Sequence, residues 1–240
     1  IGLVKIILII GLVIYGTGFS LLYIIFAPLS RSIGLSTNQF GILIAVSNVV
    51  LVFSSYFWGK KSQSIGRKPV FVIGLFSYAI AYALFAFGIQ IGLWGLLASW
   101  QLFSLLFVIR LLYGALIGGI QPAATAYMSD STDANTRIKG MALIGMASGI
   151  GTMIGPIIGG SLVFIHPIFP MYFGAGIAVL GAILSMIFLI EPLQQETVSE
   201  HTKLKFYDKR IIPYLIGWAL VVLVCLLYTS DAADDTPCVD

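Results

Sequence analysis

Charge is scarce in this 240-residue sequence: Asp, Glu, Lys and Arg together make up 10% of it. A soluble chain carries about 25%, so a water-exposed globular domain is excluded. Acidic charge is scarcer still where the chain is most apolar, and none of its six long apolar runs contains Asp or Glu. That removes from those runs the group best suited to carrying a proton. Histidine is limited to His166 and His201, both in segments that read as loops. Cysteine is limited to Cys225 and Cys238, close to the carboxyl terminus. No spacing of His, Cys, Asp or Glu matches a metal site, and no Ser/His/Asp order points to nucleophilic catalysis. No cofactor or metal is predicted, and a membrane enzyme is the least favoured function class.

Apolar residues make up 59% of the chain. They gather in continuous runs of about twenty, the length a helix needs to cross a bilayer. The strands of an outer-membrane barrel alternate apolar and polar residues over about ten positions, and these runs do not alternate. The expected fold is all-α and integral to the inner (plasma) membrane. The first span covers Lys5 to Leu29 and is too long for the apolar core of a signal peptide. The second starts after Ser36, where S-T-N-Q has the form of a capping box closed by Gln39, and ends near Gly59. The third covers Val70 to Gln90, the fourth Trp100 to Tyr127 and the fifth Gly140 to Ile165. After the turn H-P-I-F-P the sixth runs from Met171 to Ile190. Residues 1–190 thus form a six-helix bundle, 191–210 a central cytoplasmic loop and 211–224 the start of a truncated seventh helix. The first residue is Ile1 rather than Met, so a start further upstream is expected.

Residues 225–240 are expected to be foreign. C-L-L-Y-T-S-D-A-A-D-D-T-P-C-V-D breaks the seventh span in mid-run. It back-translates to a transposase-end sequencing adapter followed by a short index. On this reading both cysteines are non-native, and six acids remain against thirteen cations. Nucleotide reads lacking the adapter at that point would overturn it.

Cation placement orients the bundle. Lys60, Lys61, Arg67 and Lys68 follow the second span, Arg137 and Lys139 the fourth, and Lys203, Lys205, Lys209 and Arg210 the sixth. These ten of thirteen cations share one side, while the alternate loops hold only Arg31. The positive-inside rule makes the ten-cation side cytoplasmic and places the amino terminus there too. This is a topology signal at a lipid bilayer, and no nucleic-acid partner is predicted from it.

Three stretches carry more than hydropathy. G-M-A-S-G-I-G-T-M-I-G-P-I-I-G-G, Gly145 to Gly160, contains six glycines and Pro156. Gly151, Gly155 and Gly159 recur every four residues and share a helix face, and Gly145 and Gly149 form a similar pair. Small residues permit the close backbone contact on which membrane helices rely. Pro156 removes one internal hydrogen bond and favours a bend. In R-L-L-Y-G-A-L-I-G-G-I-Q, Arg110, Gly114 and Gly118 are four apart, and Gln121 lies about three turns beyond Arg110 on nearly the same face. Arg110 is the one cation deep inside a span. Such a charge is costly and marks a functional site by default. It is expected to face the interior, beside Gln121 and near polar first-span groups such as Tyr15, Thr17 and Ser20.

G-I-G-T-M-I-G-P-I-I-G-G, with Gly151, Gly155, Pro156, Gly159 and Gly160, resembles the fifth-helix antiporter motif of the major facilitator superfamily, drug:proton antiporter branch. G-K-K-S-Q-S-I-G-R-K resembles its loop 2–3 motif through Gly59, Gly66, Arg67 and Lys68. Gln63 stands where aspartate is usual, and Ser64 where arginine is frequent. Arg110, Gly114 and Gly118 resemble the fourth-helix motif R-x-x-x-G. The resemblance implies the six-helix amino-terminal half of a twelve-helix transporter that rocks between inward and outward states. It implies export of a small organic compound with a proton as coupling ion, the titrating acid lying in the carboxyl-terminal half missing from this chain. The alternative is an uptake symporter or facilitator for a small metabolite, an anion included. The motif also implies a charge network on the cytoplasmic side. With Gln63 and Ser64 uncharged, Asp130 is the acid expected to pair with Arg67.

Overall fold

The computed structural model describes residues 2–133 and 135–192. Among these, six segments are long and apolar enough to cross a membrane. They are built from seven helices: α1 Gly2–Ser32, α2 Thr37–Ile65, α3 Arg67–Leu93, α4 Ser99–Ile117, α5 Ile120–Asp130, α6 Arg137–Val163 and α7 Phe169–Phe188. The expectations for the central loop beyond residue 192, the seventh helix and the foreign tail lie outside the described residues.

The expected capping box forms. Ser36 Oγ accepts from Gln39 N at 3.3 Å, and Gln39 Oε1 accepts from Ser36 N at 2.9 Å. The helix it starts does not stop near Gly59, as the sequence predicts. It continues through Lys60 and Lys61 to Ile65, because one glycine costs a helix only about 1 kcal/mol and both lysines are exposed. The expected loop 2–3 thereby shrinks to Gly66. That residue has φ +110°, a conformation that glycine adopts without the clash a Cβ would bring.

The fourth span is not one helix. Gly118 and Gly119 separate α4 from α5. Ser54 Oγ and Trp58 Nε1 of α2 both donate to the Ala115 carbonyl, at 2.5 and 2.9 Å. An uninterrupted helix would offer that carbonyl to Gly119 N–H. The two side chains compete for it just where consecutive glycines weaken the helix.

Two seams of small residues set the packing. α1 lies along α6 and α7, α3 along α7 and α4, and α2 along α4. At the first seam, a Cβ on Gly155 would stand 2.7 Å from Thr17 O, and one on Gly159 would stand 2.8 Å from Leu21. Gly151 meets the backbone of Val13, Gly16 and Thr17. At the second, a Cβ on Gly114 would lie 2.6 Å from Ser47 O, and Gly118 abuts Ser54 and Ser55. Gly59 is looser, 3.6 Å from Pro122. The expected Gly145/Gly149 pair does not join either seam, and Gly160 does not either: a Cβ on any of the three meets nothing within 4 Å. Gly149 precedes Gly151 by two positions, about 200° round the helix, so the two glycine patterns occupy opposite faces. α6 runs through Pro156 without interruption.

Candidate functional site

Arg110 projects from α4 into the middle of the bundle and is 2% exposed. Its Nε donates to Leu43 O of α2 at 3.3 Å. Its guanidinium carbon lies 5.2 Å from the ring centres of both Phe85, on α3, and Tyr113, on α4. Nη2 has no acceptor among the described residues. The acids among the described residues are Asp130, Asp133 and Glu191, all near the end of the bundle that carries Lys60, Lys61, Arg67 and Lys68. Each ring contact is worth up to about 2 kcal/mol when desolvated, while burying an ion costs several kcal/mol. The cation is held, but no carboxylate among the described residues matches its charge.

Tyr15 does reach this region, through other rings. It meets Tyr78 edge-on at 5.6 Å, and Tyr78 lies 6.0 Å from Tyr113, which flanks Arg110. Thr17 and Ser20 instead donate to Val13 O and Thr17 O of their own helix, at 2.8 and 3.0 Å. Both lie under the α6 glycines. Gln121 does not share a site with Arg110. Its Nε2 donates to Ser148 Oγ of α6 at 2.9 Å, and eleven residues of helical rise, about 16 Å, separate it from Arg110 along the span. On the open side, Tyr23 and Asn48 exchange a long hydrogen bond of 3.3–3.4 Å, and the Phe19 ring lies 5.0 Å from that of Tyr23.

A second constellation sits at the basic end. Arg67 Nε and Asp130 Oδ2 are 3.0 Å apart, the pair anticipated from sequence, and Arg67 Nη1 donates to Ser62 Oγ at 2.6 Å. These side chains are 13% and 21% exposed, so water screens the pair only partly. Glu191, read from sequence as the start of a loop, is part of the same cluster. Its carboxylate accepts from the backbone N–H groups of Arg67 and Lys68, at 2.5 and 2.9 Å. A negative charge there complements the amino-terminal end of α3. A Cβ on Gly66 would stand 2.8–3.0 Å from that carboxyl group, so Gly66 serves both the turn and the carboxylate. Tyr127 Oη donates to Ile190 O and ties α5 to the same segment.

The chain is similar to several bacterial resistance proteins. It is 30% identical to multidrug resistance protein 1 of Bacillus subtilis (strain 168) over 219 residues, which is 90% of this chain and 53% of that protein. Identity to multidrug resistance protein 2 of the same organism is 27%, covering 86% of this chain and 51% of that protein. Identity to the quinolone resistance protein NorA of Staphylococcus aureus (strain Mu50 / ATCC 700699) is 24%, covering 86% and 53%. The chain thus spans about half the length of the curated relatives it matches. Among solved structures, the human organic anion transporter MFSD10 (TETRAN) superposes with a TM-score of 0.62 at 25% identity, covering 79% of this chain and 48% of that one. Residues 8–232 match the family described as Major Facilitator Superfamily. With its helical half-bundle, two glycine seams and buried fourth-span arginine, the chain belongs to the Major Facilitator Superfamily of membrane transporters.

Proposed function

We propose that this chain is the amino-terminal half of a secondary transporter that exports small organic compounds by proton antiport. The observation that carries the reading is Arg110, a cation held inside the bundle with no carboxylate beside it among the described residues. A structural ion pair would be closed within the half. An open charge is suited to meeting a ligand, or a group on a second half, during the transport cycle. The multidrug and quinolone resistance relatives support drug-like cargo. The exposed apolar residues of α2 and α6, among them Phe53, Phe57, Met153 and Ile157, supply a seam for a second six-helix unit and for lipid. The basic end is cytoplasmic on this reading, residues 191–210 connect the halves, and the coupling acid belongs to the second half.

Substrate access then alternates as the halves rock about a central cavity. Arg67, Asp130 and the backbone around Gly66 bias that equilibrium at the cytoplasmic end. Arg67→Asp and Asp130→Arg should each lower transport about tenfold, equivalent to about 1.4 kcal/mol. The double swap should recover most of it, as measured by initial efflux rates at matched protein levels. Unchanged rates in both single variants would remove the pair from the mechanism.

Ethidium efflux from energised cells expressing the full reading frame tests the export reading. Efflux should exceed the vector control and stop on adding a protonophore. Energised accumulation of the dye instead would favour an uptake symporter, and movement only down its gradient would favour a facilitator.

A further inference from the structure

We propose that a groove between α1 and α6, at the end of the bundle away from Lys60, Lys61 and Arg67, holds an acyl chain of an anionic phospholipid whose phosphate is met by Arg31. The inference concerns the bilayer rather than the cargo and holds for either direction of transport. The groove has a volume of about 370 Å³, and its walls include Ile24, Pro28 and Leu29 of α1 and Val163 of α6. Gly160 leaves it open, since a Cβ there meets nothing within 4 Å. The hydroxyl that lines it, Ser32 Oγ, already donates to Leu29 O at 2.8 Å. No side-chain donor inside the groove is therefore left for a polar ligand. Arg31 stands at the mouth. It is exposed, directly precedes Ser32, and follows Pro28 by three positions and Ile24 by seven, so the three share a helix face. It is also the one cation in the loops that the topology trend otherwise leaves free of positive charge. Among the described residues it makes no ion pair, and Asp130, Asp133 and Glu191 all lie at the opposite end of the bundle. Depth fits the same occupant. Ser99 Oγ donates to Gly34 O, just beyond Arg31, at 3.0 Å, and the adjacent Trp100 is 67% exposed. Exposed tryptophan favours the level of the lipid headgroups. From Arg31 the groove runs inward to Ile24, about 10 Å of helical rise. A lone cation at headgroup level above an apolar slot asks for an anion joined to a hydrocarbon chain, and the bilayer supplies both in one molecule.

Photo-crosslinking of the full-length transporter, reconstituted in vesicles, tests the site. The probes are phosphatidylglycerol and phosphatidylcholine carrying a diazirine in the acyl chain, and adducts are mapped by peptide mass spectrometry. Adducts on residues 24–32 and 159–163 should be about fivefold more abundant with phosphatidylglycerol, the scale of one arginine facing an anionic headgroup. Arg31→Gln should remove that preference. Gly160→Leu should fill the slot and cut these adducts at least about fivefold with both lipids. Adducts around Lys60 and Lys61 should stay unchanged in both variants, which reports that each remains folded and inserted. Equal labelling of the groove by the two lipids in the wild-type protein overturns the proposal, as does a phosphatidylglycerol preference that survives Arg31→Gln. Groove labelling that ignores Gly160→Leu removes the acyl chain from the slot. Absence of groove adducts with either lipid gives the slot to a second six-helix unit instead and overturns the proposal as well. The labelling needs no transport, so failure of ethidium export leaves the lipid site standing, and failure of the labelling leaves the export reading standing.

Discussion

Gly155→Leu should abolish transport, with at least about a tenfold loss in rate. A Cβ at this position already stands 2.7 Å from the Thr17 carbonyl and presses on the Ser20 side chain. The backbone oxygen cannot rotate aside as a flexible side chain would. Leucine adds three further carbons, so α1 and α6 must separate along the seam they share at Gly16, Gly151 and Gly155. Overpacking a tight core typically costs about 1–3 kcal/mol, and a clash with backbone belongs at the upper end. Alanine substitutions sharpen the expectation, because the same change should have opposite signs on two faces of one helix. Gly155→Ala should lower the thermal stability of the purified protein. Gly149→Ala meets nothing within 4 Å and should raise it, by up to the roughly 1 kcal/mol that separates glycine from alanine in a helix. Equal effects at the two positions would show that α1 and α6 do not meet on the Gly155 face.

Arg110→Met should leave the protein folded and silence transport, with a loss of at least about a hundredfold. Replacing a buried ion by an apolar side chain of similar volume is commonly neutral or stabilising, because the desolvation cost disappears. Here no carboxylate among the described residues is orphaned by the change. The substitution leaves only the Leu43 carbonyl short of one hydrogen bond. Arg110→Lys should restore little, since a compact ammonium replaces the planar group that lies between Phe85 and Tyr113. Melting temperature and transport rate, measured on the same preparations, check the separation. Full transport in the methionine variant would assign Arg110 to packing alone.

How much of this was readable in the chain depends on the range over which each feature acts. The six spans follow from apolar length, and the Ser36–Gln39 box from a three-residue spacing; both are local. Arg110 stood out because it lies about ten residues inside its span, too deep for a side chain that merely snorkels from a helix end. The Arg67–Asp130 pair was legible once both were placed at the same end of an antiparallel hairpin. The break at Gly118–Gly119 was not, because its cause lies on α2, in the donors Ser54 and Trp58. Glu191 was missed for the same reason: it serves the start of α3 from more than a hundred positions away. Glycine spacing predicted a seam on α6 along Gly151, Gly155 and Gly159 but did not name α1 as the helix that fills it.

Proton-driven export is tested most directly by substrate uptake into proteoliposomes holding the full-length transporter under an imposed pH gradient. Antiport predicts that an acidic lumen accelerates ethidium uptake as protons leave, and that nigericin abolishes the acceleration. Equal uptake with and without the gradient, or acceleration only when the outside is acidic, would contradict it.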